Sequence, residues 1–112
     1  MRNKEDHIIS KNASLKDALV KLNDLGKDAV VFIVDKESRL IGSLTDGDVR
    51  RGLLTNKNLN SNVSTFLQQN PKFLRKDNYK IEELILLRNM NYRIIPVLND
   101  NNQIIDVINF DY

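Results

Sequence analysis

The chain has 112 residues, 41% hydrophobic and 29% charged, with 17 Lys and Arg against 15 Asp and Glu. That is the make-up of one ordinary globular domain, too short to hold a catalytic domain together with a regulator. The near-balance of charge does not advertise nucleic acid or an anionic membrane as a partner. With no Cys and a single His, His7, the chain by itself excludes disulfides, thiolate metal sites, thiol nucleophiles, Ser-His-Asp triads and multi-histidine metal centres.

Met1-Arg2-Asn3-Lys4-Glu5-Asp6 is polar and leads into no long apolar run. Neither a signal peptide nor a transmembrane segment is read, and a cytoplasmic location is expected. His7-Ile8-Ile9 predicts a brief strand, with His7 at the surface or strand edge rather than acting as a ligand. Ser14 with Asp17 is a variant of the capping box, and Leu15, Ala18, Leu19, Leu22 and Leu25 follow at helical spacing until Gly26. A helix over 15–25 is predicted. Ala29 to Val34 is a β-branched, continuously apolar run, the pattern of a strand buried on both faces. Asp35-Lys36-Glu37-Ser38 is a turn, and Arg39 to Leu44 is the return strand of a hairpin. Thr45 starts a helix through about Leu54, and the polar residues 55–62 read as a linker.

The pattern then recurs. Val63 to Gln69 predicts one or two helical turns stopped by Asn70-Pro71. Lys72-Phe73-Leu74 is a short strand, and Ile81 to Leu87 opens a second helix. Ile94 to Leu98 and Gln103 to Ile108 form a second hairpin about the turn Asn99-Asp100-Asn101-Asn102. The two hairpins align without a gap at a spacing of 64 residues, as Asp35 with Asn99 and Arg39 with Gln103, while the two helices align at about 66. Two copies of strand–helix–strand–strand make an internal repeat. We expect repeat 1 over 7–55, a linker over 56–62 and repeat 2 over 63–112. The second copy stops at Phe110-Asp111-Tyr112, where the first begins its last helix. The chain is therefore expected to be cut from something longer, or trimmed.

The richest chemistry lies in Gly42-Ser43-Leu44-Thr45-Asp46-Gly47-Asp48-Val49-Arg50-Arg51. Thr45 stands at the N-cap of a helix, whose free N–H groups and positive dipole end favour an anion. Its hydroxyl can donate to a phosphate oxygen, Gly47 lets a ligand approach the backbone, Asp48 can accept from two vicinal hydroxyls, and Arg50 and Arg51 can pair with phosphates. Thr45 with Asp48 is equally a capping box that needs no ligand, and Asp46 and Asp48 are favourable in any first helical turn. Lys72, Arg75, Lys76 and Lys80 form a basic cluster without interleaved aromatics and read as a solvated face. Leu84-Ile85-Leu86-Leu87 is apolar on more than one helical face, which suits either packing against the linker or a dimer interface.

The doubled unit, the polar linker with Asn70-Pro71 entering the second half, and the Gly-x-x-Thr-x-x-Asp pattern at Gly42, Thr45 and Asp48 resemble the CBS domain pair, or Bateman module. The resemblance spans roughly residues 7–112. Within that family Thr45-Asp46-Gly47-Asp48-Val49-Arg50-Arg51 is similar to the pairs attached to sugar-phosphate enzymes, and the Met1 start favours those ahead of nucleotidyltransferases. The resemblance implies an α/β (α+β) fold of two pseudo-twofold-related repeats, with small mixed sheets face to face and helices outside. It implies a homodimeric regulatory module, no required cofactor, and an adenine nucleotide (AMP, ADP or ATP) bound between repeats. The signal would pass to a C-terminal catalytic domain of the same chain. It assigns ligand contacts to Thr45 and Asp48, with Asp46, Gly47 and Arg51 beside them, and to Arg93 before the second central strand. In the second repeat Asp106, Asn109 and Tyr112 stand where Gly42, Thr45 and Asp48 stand in the first, so a second site is not implied. The alternatives are a sugar nucleotide or sugar phosphate as ligand, or a structural dimerisation module with none. The chain itself shows no nucleophile–base pair, metal cluster or complete phosphate loop, and is not expected to be an enzyme.

Overall fold

The computed structural model describes residues 3–26, 29–55, 58–65 and 67–110. Tyr112, the Met1 start and the first two residues of the expected linker lie outside them. In chain order the elements are β1 (Ile8–Ser10), α1 (Leu15–Leu25), β2 (Val30–Val34), β3 (Leu40–Thr45), α2 (Asp46–Leu54), β4 (Leu74–Arg75), α3 (Ile81–Asn89), β5 (Ile94–Leu98) and β6 (Ile104–Asn109). Short 3₁₀ turns occupy Lys4–His7 and Val63–Thr65.

α1 forms where its cap and apolar spacing place it. The Ser14 hydroxyl accepts from Asp17 N at 3.2 Å, and the Asp17 carboxylate accepts from Ser14 N at 3.1 Å. The next two orphan donors, Leu15 N and Lys16 N, bond to linker carbonyls of Ser61 and Leu59 at 2.9 and 3.0 Å. Gly26 ends the helix at φ 92°, a conformation open to glycine at little cost.

The strands make two three-stranded sheets, β1-β2-β3 and β4-β5-β6. In each, the first strand runs parallel to the second and the third antiparallel. The central strands are buried on both faces, as their unbroken apolar runs require. Along β2, Val31 and Ile33 pack with Leu15, Ala18, Leu22 and Leu25 of α1 and Val49 of α2. Phe32 and Val34 point the other way and meet Ile94, Leu98 and Ile104 of the second sheet. Ile95 and Val97 of β5 complete a third layer with Leu87 of α3. The sheets thus meet face to face with the helices outside. Among the described residues no helix is long and apolar enough to cross a membrane.

Four local expectations are corrected. His7 belongs to the first 3₁₀ turn, not to β1, and is buried at 3% exposure with Nδ1 3.2 Å from Val30 O, so it is neither a surface nor a strand-edge residue. The strand expected over 72–74 is Leu74–Arg75, because Leu74 is the residue that enters the core and pairs with Val97. The helical reading of 63–69 holds only over Val63–Thr65. Further on, Gln68 pairs with Ser43 of β3 as an antiparallel bridge. The basic cluster is not uniformly solvated. Lys72 lines a cleft, and Arg75 lies over the Phe73 ring at 5.2 Å while donating to Asn99 O at 2.7 Å.

Candidate functional site

β3 delivers its last residue, Thr45, to the N-cap of α2. The Thr45 hydroxyl accepts from Asp48 N at 3.3 Å and donates to Asp48 Oδ2 at 3.0 Å, while Thr45 N donates to the same oxygen at 2.8 Å. Asp48 Oδ1 accepts from Arg51 Nη2 one turn on, and at 3.2 Å from Gln68 Nε2, on the segment 67–72 that carries the linker on toward β4. Asp48 is 5% exposed, whereas the Arg51 side chain is 67% exposed. A buried carboxylate needs such donors, and this one meets four.

The linker reaches Asp48 because β3 lets it pass. Gln68 N donates to Ser43 O at 2.9 Å, and Ser43 N to Gln68 O at 3.0 Å. Next door, a Cβ on Gly42 would overlap Leu67 Cδ1 and stand 2.9 Å from Gln68 O. Glycine is required here by close approach, not by backbone conformation.

Beyond this crossing lies a cleft of about 900 Å³. One wall comes from the first repeat: Gly26 after α1, Ala29, Val30 and Phe32 around β2, Ser43 of β3, and Thr45, Asp46 and Gly47 at the start of α2. Gln68 to Lys72 of the linker form a second wall, and Asn91 to Ile95, leading into β5, form the third. Its volume falls within the range of small-molecule sites, and apolar side chains mix with convergent polar ones. Lys72 and Arg93 bring positive charge, and Asp46 brings negative charge.

Of the residues expected at a site, Thr45, Asp46, Gly47 and Arg93 line this cleft together. Asp48 and Arg51 lie behind its wall, engaged with each other. Asn109, the second repeat's counterpart of Thr45, is exposed on β6, where it pairs with Ile94 of the cleft wall without itself lining the cleft. Sequence reading missed Ser43, Gln68, Gln69, Lys72 and Tyr92. No periodicity marks them, since the linker joins the wall only through a single long-range bridge. Among the described residues no three His, Cys, Asp or Glu side chains gather to hold a metal ion.

Two α/β repeats that face each other across their sheets, with a ligand-sized cleft where the linker crosses, define a two-repeat module. Residues 3–55, the first repeat, match the model of the CBS domain family. An uncharacterized protein of Helicobacter pylori is 31% identical over 102 residues, covering 90% of this chain and 31% of the relative. A probable arabinose 5-phosphate isomerase of Haemophilus influenzae is 28% identical over 96 residues, covering 84% of this chain and 28% of the relative. The chain thus spans less than a third of the length of these curated relatives. Among solved structures, OpuCA of Staphylococcus aureus superposes with a TM-score of 0.73 at 25% identity, covering 92% of this chain and 84% of the other. A CBS domain protein of Pyrobaculum aerophilum complexed with AMP gives 0.71 at 14% identity, covering 97% and 87%. The fold is that of the CBS domain pair.

Proposed function

We propose that the chain is a regulatory module that senses an adenine nucleotide, AMP, ADP or ATP, in the cleft bounded by Thr45, the linker and Arg93. The observation that carries this reading is the shared wall. The capped start of α2, the linker and the lead into β5 converge on one space large enough for a nucleotide, with hydroxyl, amide and cationic groups on its rim. The first turn of α2 beside Thr45, with Arg93 and Lys72, takes the phosphate, and the apolar side chains of Val30, Phe32 and Ile94 flank the base. Asp48 takes the ribose hydroxyls after exchanging partners. The AMP complex of the Pyrobaculum aerophilum protein supports an adenine ligand for this fold. The Haemophilus influenzae relative supports a host that acts on sugar phosphates, and a sugar-phosphate nucleotidyltransferase is the host that we propose. The module regulates and does not itself catalyse. The shift it imposes on the host is bounded by the ligand's differential affinity for the two states.

A second reading, a homodimerising module without ligand, is favoured by α3. Ile81, Ile85 and Leu86 are exposed on this nine-residue helix, and Met90 is exposed at its C-cap. One experiment separates the two. Thermal unfolding is followed against AMP, ADP, ATP, S-adenosylmethionine and several sugar nucleotides, with sedimentation of the free chain beside it. A ligand at a hundred times its Kd adds about 2.7 kcal/mol, several degrees for a domain of this size. A shift with an adenine nucleotide supports the sensor. A shift with sugar nucleotides alone reassigns the ligand. A flat response with concentration-dependent dimerisation supports the structural module.

A further inference from the structure

Resting on the nucleotide reading of the cleft, we infer that Arg51 and Gln68 are a latch on Asp48 that sets the affinity for a ligand carrying a vicinal diol.

A carboxylate offers about four lone-pair positions. All four of Asp48's are taken: Oδ2 by Thr45 N and Thr45 Oγ1, Oδ1 by Arg51 Nη2 and Gln68 Nε2. A diol approaching Asp48 therefore has to displace a donor. The Thr45 pair belongs to the cap of α2, and losing it frays the helix. The other two donors sit on long side chains that reach solvent, Arg51 at 67% exposure and Gln68 on the exposed linker, so water replaces Asp48 for them at little cost. Oδ1 is the oxygen that opens.

Gln68 also lines the cleft, so the side chain that closes Asp48 is part of the wall the ligand touches. Its backbone is fixed to Ser43 by two hydrogen bonds, which leaves its side chain free to swing while the linker stays in place. Occupying the site and releasing the Gln68 amide from the start of α2 become one event. Arg51 competes for the same oxygen from the opposite side, across the first turn of α2 and over Gly47, where a Cβ would stand 3.4 Å from its guanidinium.

The test is calorimetric titration of the wild type, Arg51→Ala, Gln68→Ala and the double variant with AMP and with 2′-deoxy-AMP, which lacks the diol. Melting temperatures without ligand are recorded alongside. Each single variant is expected to bind AMP about three- to tenfold more tightly, the worth of one competing hydrogen bond removed. The gain is expected to be absent for the deoxy compound, and the ligand-free melting temperature is expected to fall slightly. A wild type that binds no nucleotide while the double variant binds AMP also supports the latch. Weaker AMP binding in Arg51→Ala overturns it and makes Arg51 a direct phosphate contact. Equal affinities across variants, or equal gains for both ligands, overturn it while leaving the nucleotide reading intact. No binding of either ligand to any variant ends both.

Discussion

The two repeats are built on one template and differ where it matters. Their hairpins keep the same register 64 residues apart: Val30 faces Thr45 as Ile94 faces Asn109, and the bulge between Ile33 and Val34 recurs between Val97 and Leu98. Both turns close on a residue with positive φ, Ser38 at 66° and Asn102 at 65°. In the first turn the Asp35 carboxylate accepts from Glu37 N, Arg39 N and Arg39 Nε at 2.9, 2.9 and 2.8 Å. In the second, Asn99 Oδ1 accepts from Asn101 N and Gln103 N at 2.9 and 3.0 Å, and its amide donates to Gln103 Oε1 at 2.9 Å. A charged pair and a neutral pair of nearly the same shape hold the same turn. Turn chemistry is thus exchangeable, whereas the third strand is not. Gly42 faces Ile33 and lets the linker cross, while Asp106 faces Val97, stands exposed and accepts from its neighbour Val107 N at 2.8 Å. The crossing brings Gln68 to Asp48 and the linker wall to the cleft, and it occurs in the first repeat.

The largest expected effect comes from closing that crossing. Gly42→Ala puts a methyl group into Leu67 and against the Gln68 carbonyl, and a backbone carbonyl cannot turn aside as a side-chain tip can. We expect a loss of about 1–3 kcal/mol, the usual range for overpacking, and a melting temperature lower by several degrees. Asp106→Ala, at the matching position, should stay within about 0.5 kcal/mol, as surface substitutions do. Equal melting temperatures for the two variants would show that the linker does not lean on β3.

Next is the cap. Asp48→Ala removes the acceptor of Thr45 N and half of the capping box of α2, and urea unfolding should show a loss of about 0.5–2 kcal/mol. Arg51 and Gln68 turn to water and add little. A stability equal to wild type would assign Asp48 to the ligand alone.

These contrasts also mark what the sequence made legible. The repeat, α1 to the residue, both hairpins and the N-cap at Thr45 follow from short-range signals: spacing of apolar residues, capping chemistry and turn residues. Thr45, Asp46 and Gly47, marked in the sequence by a helix start, line the cleft together with Arg93, which was expected from the family resemblance. Gln68 and Lys72 leave none. A glutamine after a short 3₁₀ turn becomes part of a wall only because Gly42, 26 positions earlier, is small enough to be crossed. His7 was misplaced for a similar reason: one imidazole carries no periodicity, and its burial is decided by Val30 on another strand.

The smallest expected effect is a difference in acid response between the two turns. The Arg39 backbone N–H first, then the Arg39 guanidinium and the Glu37 N–H, outweigh the burial that opposes them and hold the Asp35 carboxyl below the ordinary aspartate value. A carboxyl whose pKa is lower in the fold is protonated more readily in the unfolded chain. Its contribution is therefore complete above about pH 4, the unfolded value, and is lost as pH falls through the folded one. The Asn99 turn carries no such proton. Converting the first turn into the second, with Asp35→Asn and Arg39→Gln together, should leave the fold in place and flatten the decline in unfolding midpoint between pH 5 and pH 2. Glu37, at 3.3 Å from Arg39, loses a weak partner in the same variant, so Glu37→Gln serves as the control. An unchanged decline would place the acid sensitivity elsewhere in the fold.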